Sequence, residues 1–171
     1  MADPLQTPLP TSAAATAPVL GALPEEGATT EAAVSRVVAF FEQLSPASLA
    51  SMADVYAPQA RFKDPFNEVQ GIAAIEGIFE HMFASLQQPR FVVTGRVVQG
   101  PQCFLTWDFV FAFKGYHPGV LQTVRGASHL VFDDQGLVTL HRDYWDAAEE
   151  LYEKLPVVGA LMRWLKQRAN G

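Results

Sequence analysis

Gln102 to Phe113 reads QCFLTWDFVFAF, Val120 to Phe132 reads VLQTVRGASHLVF, and Leu137 to Trp145 reads LVTLHRDYW. In the first stretch Leu105, Trp107, Phe109, Phe111 and Phe113 recur at every second position. A period of two is the mark of an extended strand with one buried face. Gly115 to Gly119 is a loop, and Asp133-Asp134-Gln135-Gly136 has the composition of a tight hairpin turn. Upstream, Arg90 to Gln99 also reads as a strand, with Gly100-Pro101 as its turn. Connections this short make the four strands antiparallel neighbours.

Before Pro89 the period lengthens. Ile75, Ile78, Phe79, Met82, Phe83 and Leu86 follow the spacing of one buried helical face, in a helix running from Gly71 to Pro89. Val34, Val37, Val38, Phe41 and Leu44 repeat the pattern in a first helix that begins at Thr29 or Thr30. Ser45-Pro46 opens a short second helix carrying Leu49, Met52, Val55 and Tyr56, and Pro58 stops it. Ala60 to Asp64 is a short extended segment. Helical spacing returns after Asp146.

Helices followed by a meander of strands predict an α+β domain in which a curved antiparallel sheet wraps over the N-terminal helices. The resulting cone has an open mouth, a common place for a ligand. Three regions follow from the pattern. Residues 1–28, rich in Ala, Pro and Thr, form an arm without enough apolar periodicity to offset its ordering entropy. Residues 29–155 form the cone, and residues 156–171 form an amphipathic C-terminal helix with Arg163, Lys166 and Arg168 near its end.

Composition narrows the function. The 171 residues are 49% apolar and carry a net charge of −6. An acidic chain is poorly suited to nucleic acid, which demands a basic surface. One cysteine, Cys103, allows no internal disulfide and no cysteine-based zinc site. The histidines show no metal-ligand spacing, and no phosphate-loop or dinucleotide fingerprint occurs. Neither metal nor cofactor is therefore expected. The N-terminus lacks a basic, apolar leader, which makes a cytoplasmic location the default. The C-terminal helix is read as packing on the domain or on a partner subunit rather than on a membrane, because it is short and the chain is acidic.

Three stretches carry a resemblance. They are Tyr56-Ala57-Pro58-Gln59-Ala60-Arg61-Phe62-Lys63-Asp64-Pro65-Phe66, the helix from Gly71, and Phe132 to Gly136 running into His141-Arg142-Asp143-Tyr144-Trp145-Asp146. Their order and spacing resemble the nuclear transport factor 2-like superfamily, which includes ketosteroid isomerases, SnoaL-type cyclases and limonene-epoxide hydrolases. The resemblance implies an interior pocket for a small apolar molecule, and a homodimer formed through the outer sheet face. It places Asp64 where the isomerases keep a general-base aspartate. Their oxyanion-hole positions fall near Phe40 and Ser128, which are not the usual donors. It places Asp143 where the hydrolases keep a water-activating aspartate. Their arginine and second aspartate fall at Trp107 and Phe109.

On the strand from Leu137 to Trp145, His141, Asp143 and Trp145 share one face. The candidate catalytic set is Asp64 as base, with Asp143 and His141 as acid, orienting group or water holder. Phe40, Trp107, Phe109, Ser128 and Trp145 are the candidate substrate-binding residues. Each acid, and the histidine, has a second reading: Asp64 as a turn aspartate before proline, Asp143 paired with Arg142 or Arg61, and His141 as a satisfied core histidine. His129 is expected to face away from the pocket, His81 to be structural or superficial, and His117 to be solvated. Asp108, on the outer face, is expected to meet a basic group. A cofactor-independent isomerase, cyclase or hydrolase and a non-catalytic binding module both fit. Acids that face the cavity without a neutralising arginine favour the enzyme.

Overall fold

The structure is a computed structural model that describes residues 26–115, 119–150 and 168. The sheet has six strands: β1 (Tyr56–Lys63), β2 (Glu68–Gln70), β3 (Leu86–Gln99), β4 (Gln102–Phe113), β5 (Leu121–Phe132) and β6 (Val138–Tyr144). They lie in the order β2-β1-β6-β5-β4-β3. Helices α1 (Glu26–Glu42) and α2 (Ile72–Ser85) precede the long strands, a 3-10 helix (Ala47–Asp54) lies between them, and α3 (Ala147–Glu150) follows β6. This is the α+β layout, with a curved, unclosed sheet over N-terminal helices.

The long strands fall where the period of two places them. β4 spans the expected Gln102 to Phe113, and β5 and β6 begin one residue later than expected. The hairpin turn is built by Asp133, whose Oδ1 accepts from the N–H of Gln135 and of Leu137, each at 2.9 Å. Gly136 there has φ 72°, a left-handed conformation that glycine adopts without steric cost.

Five expectations need correction. α1 starts at Glu26, ahead of Thr29. The second helix is a 3-10 helix that ends at Asp54. Tyr56 does not belong to it and opens β1 instead. That strand pairs with β6 in parallel, from Tyr56↔Val138 to Lys63↔Arg142, so the sheet is not wholly antiparallel. Long-range pairing outweighs local helical spacing here. Val138 N–H donates to the Val55 carbonyl at 2.8 Å and begins the ladder. Pro58 sits where the register shifts between Tyr56 and Arg61, a place where a missing N–H costs no ladder bond.

Pro89 ends no helix either. α2 stops at Ser85, and β3 runs through Pro89 where its pairing with β4 is irregular, between Gln87 and Arg90. β3 is an edge strand, and edges and bulges are where a sheet accommodates proline. The core fills the concave side. Val34, Val37 and Phe41 of α1 meet Ile75 and Phe79 of α2 and Leu105, Trp107, Leu130 and Val138 of the sheet. Ser45 and Ser48 close the bend between α1 and the 3-10 helix: Ser45 N–H donates to Ser48 Oγ at 2.9 Å, and Ser48 N–H to Ser45 Oγ at 3.3 Å. The expectations for residues 1–25, for the C-terminal helix after Glu150 and for His117 lie outside the described residues.

Candidate active site in the concave face

Register brings the polar interior together. Ser128 of β5 stands opposite Asp143 of β6, and Leu130 opposite His141. Side chains two apart on a strand share a face, so Ser128, His141 and Asp143 all point inward. Ser128 Oγ donates to Asp143 Oδ1 at 2.5 Å. His141 Nε2 lies 2.9 Å from the same Oδ1. On its other side His141 Nδ1 is 2.5 Å from Tyr56 Oη, and the two rings stack at 6.0 Å and 11°. Trp107 Nε1 donates to Ser128 Oγ at 2.8 Å. The indole reaches it by lying over Gly126, its cross-strand partner. A Cβ on Gly126 would fall 2.4 Å from Trp107 Cη2.

With His141 as a neutral imidazole and Asp143 as a carboxylate, the contacts assign the protons. Tyr56 is fully buried, and burial first, then the nearby Asp143 charge, hold its phenol well above the ordinary value of 10. Its hydroxyl proton points to Nδ1 of His141. An ionised carboxylate only accepts, so Nε2 carries the imidazole proton and donates it to Asp143. Asp143 Oδ1 thus receives two hydrogen bonds. Its Oδ2 accepts none from any described residue. The Asp143 side chain is 16% exposed.

Asp143 borders a cavity. A chamber of about 280 Å³ is walled by Phe62, Phe91, Trp107, Phe109, Trp145 and further apolar residues of α2 and the sheet, and it includes both Asp143 and Asp64. Behind it lies a recess of about 30 Å³, bordered by Phe41, Ser128, His141 and Asp143. The two share Phe79, Phe91, Trp107 and Asp143. The recess has room for a water molecule.

Asp64 borders the chamber too, but its oxygens are occupied. Oδ1 accepts from the N–H of Phe66 at 2.7 Å and of Asn67 at 2.6 Å. The Asn67 amide donates to both oxygens, at 3.0 and 2.9 Å. The turn reading of Asp64 describes this geometry. Among the described residues no arginine reaches either acid. Arg61 is exposed on the far face of β1, and Arg142 lies over the ring of Tyr144 at 4.9 Å.

Of the proposed binding residues, Trp107, Phe109 and Trp145 line the chamber and Ser128 the recess. Phe40 lines neither. It packs edge-on against Phe41 at 5.4 Å, and Phe41, one residue further round α1, reaches the recess. His81 is exposed but borders the chamber mouth, a place the sequence did not suggest. His129 faces outward, stacked on Phe104 at 4.5 Å. Asp108 meets Arg125 across the outer face at 3.9 Å. Tyr56 is the member of this polar cluster that the sequence did not disclose, because helical spacing placed it on the second helix. The available signal was the inward alternation of Ala60 and Phe62 in the strand it opens.

Residues 37–141 match the SnoaL-like domain family. The chain belongs to that family. Solved structures agree on the fold. A SnoaL-like protein from Jannaschia sp. CCS1 is 16% identical, with a TM-score of 0.63 over 75% of this chain and 92% of that one. An LEH-like epoxide hydrolase from M. tuberculosis is 13% identical, with a TM-score of 0.59 over 73% and 88%. A protein with a ketosteroid isomerase-like fold from Catenulispora acidiphila DSM 44928, in complex with trimethylamine, is 17% identical, with a TM-score of 0.59 over 70% and 88%. At these identities the likeness to each is one of fold. Among curated proteins none matches the sequence. No helix of the described residues is long and apolar enough to cross a membrane.

Proposed function

We propose that this SnoaL-like protein is a cofactor-independent general-base enzyme of the isomerase, cyclase or hydrolase type, acting on a small apolar molecule held in the chamber. Asp143 is the base. The observation that carries the reading is its division of labour. Oδ1 is held by Ser128 and His141, Oδ2 has no protein partner among the described residues, and the residue borders the chamber. A base must be oriented and still keep a lone pair for the proton it takes. The Ser128 and His141 hydrogen bonds supply the orientation. Tyr56 in turn keeps the imidazole proton on Nε2. The apolar walls exclude competing water, which strengthens electrostatic interactions inside.

Asp64 takes a different part from the base first assigned to it. It folds the Pro65-Phe66-Asn67 turn, which carries Phe66 against Trp145 at 5.4 Å, and so shapes the mouth. The proton abstracted by Asp143 comes either from a C–H beside an electron-withdrawing group or from a water in the recess. A panel of unsaturated ketones, cyclisable polyketide mimics and epoxides separates these. Turnover of any member should fall by about 10²–10⁴-fold in Asp143→Asn with the fold intact. Turnover that survives the substitution contradicts the base assignment. Tight binding of panel members without turnover would instead favour a binding module of the same fold.

A further inference from the structure

The chamber is rich in rings and poor in positive charge. Among its described lining residues are Phe62, Phe66, Phe79, Phe91, Phe109, Phe111 and Phe113, with Trp107 and Trp145, and no lysine or arginine. Several rings meet at steep angles. Phe91 and Trp107 cross at 86° with centroids 5.7 Å apart, and Phe66 and Trp145 cross at 74°. Such corners present ring faces and edges to the same space. Each face carries the negative side of the ring quadrupole.

Five cations on the surrounding elements are engaged elsewhere. Lys63 pairs with Glu68. Arg96 faces Glu31 and Ser35, and Arg125 faces Asp108. Lys114 Nζ donates to the carbonyls of Phe83 and Ala84 at 2.8 and 2.7 Å, capping the end of α2. Arg142 covers Tyr144 on the outer face. Among the described residues, the Asp143 carboxylate is therefore a half-buried group with two hydrogen bonds, one to Ser128 and one to His141, and no lysine or arginine beside it. A buried charge is costly unless it is paired.

We propose that the natural occupant of the chamber is an apolar molecule that carries an ammonium group, a lipophilic amine or quaternary ammonium compound, with its charge held by the aromatic walls in the field of the Asp143 carboxylate. The proposal deepens the reading of the chamber as the functional site and rests on it. A cation in an aromatic enclosure is attracted by the ring faces, and in this one it also meets a carboxylate that is bonded to His141 and has no lysine or arginine beside it among the described residues. A carboxylate-bearing ligand would meet two acids and, among the described residues, no lysine or arginine, with only His81 at the mouth. Selection by charge follows from the same lining that selects by apolar shape.

Three matched probes test this: benzyltrimethylammonium, its neutral carbon isostere neopentylbenzene, and the anion 4-phenylbutanoate. Binding to the full chain is read by calorimetry and by tryptophan fluorescence. The ammonium compound should bind at least tenfold more tightly than neopentylbenzene, and phenylbutanoate should not saturate. Trp145→Leu should weaken the ammonium compound more than the hydrocarbon, and Asp143→Asn should remove most of the charge preference. Circular dichroism checks that both variants are folded. Equal or tighter binding of neopentylbenzene, or binding of neither probe, overturns the proposal. The two claims fail separately. An ammonium preference together with turnover that survives Asp143→Asn leaves this proposal standing and removes the base. A hydrocarbon preference together with turnover lost in Asp143→Asn does the reverse.

Discussion

Replacing Tyr56 with phenylalanine removes one oxygen from the interior and changes little else. The ring remains in its slot on the core side of β1, stacked on His141. What is lost is the 2.5 Å contact between Oη and Nδ1 of His141, between two side chains that are 0% and 4% exposed. The imidazole then keeps a buried acceptor without a partner, because Nε2 must still hold its proton for Asp143. Leaving such a group unsatisfied costs about 1–3 kcal/mol. Against a typical domain stability of about 5–15 kcal/mol that is a measurable fraction. Urea unfolding at pH 7, followed by tryptophan fluorescence, should show a lower midpoint for Tyr56→Phe with an unchanged slope.

The same comparison carries a pH signature. The phenol of Tyr56 is held well above 10 in the folded chain. In the unfolded chain it loses its proton from about pH 10. Above that pH the unfolded state binds fewer protons than the native state, so stability falls as pH rises. The wild-type advantage over Tyr56→Phe should therefore be constant below about pH 9.5. It should narrow by roughly 1.4 kcal/mol by about pH 11. A difference that stays constant across that window, or no difference at neutral pH, would refute the placement of Tyr56 as a buried donor.

Further consequences are as direct. Gly126→Ala puts a methyl group 2.4 Å from Trp107 Cη2, so the indole must move off Ser128. Overpacking should destabilise the domain by about 1–3 kcal/mol and shift tryptophan emission, as read by urea titration and fluorescence. Asp64→Ala removes the acceptor for the N–H groups of Phe66 and Asn67. It should cost about 1 kcal/mol and weaken ligand binding by calorimetry, whereas Asp64→Asn should keep most of both. The Cys103 thiol is pushed up to about 12, first by burial and then by the Glu31 charge. An unfolded thiol ionises from about pH 9, so this part of the stability is present below that pH and is lost as pH rises towards 12. Cys103→Ala should flatten the urea-midpoint curve at the start of that window, between about pH 9 and 10.

The long strands were legible because period-two alternation sustained over a dozen residues cannot be laid on one face of a helix. Their register then follows from a hairpin turn, and register is what sets Ser128 beside Asp143. The inward placement of His141, Asp143, Trp107, Phe109 and Trp145 was therefore readable. β1 was not. Its apolar residues are interrupted by Pro58 and a register shift, and its partner β6 lies about 80 residues away. No local pattern announces a parallel pairing over that distance. Tyr56 was lost with the strand, and with it the group behind His141. The displacement of Phe40 from both cavities is of another kind. One residue on a helix is a turn of about 100°, enough to exchange Phe40 for Phe41. The occupation of Asp64 depends on the Asn67 side chain, a three-residue contact that sequence allows without requiring.

A crystal structure of the protein with the most tightly bound member of the substrate panel tests the central claim most directly. We expect the reactive hydrogen-bearing atom, or one bridging water, within about 2.6–3.2 Å of Asp143 Oδ2, with Ser128 and His141 still on Oδ1. A ligand seated away from that oxygen, or an Asp143 carboxylate turned into a salt bridge with Arg61 or Arg142, would contradict it.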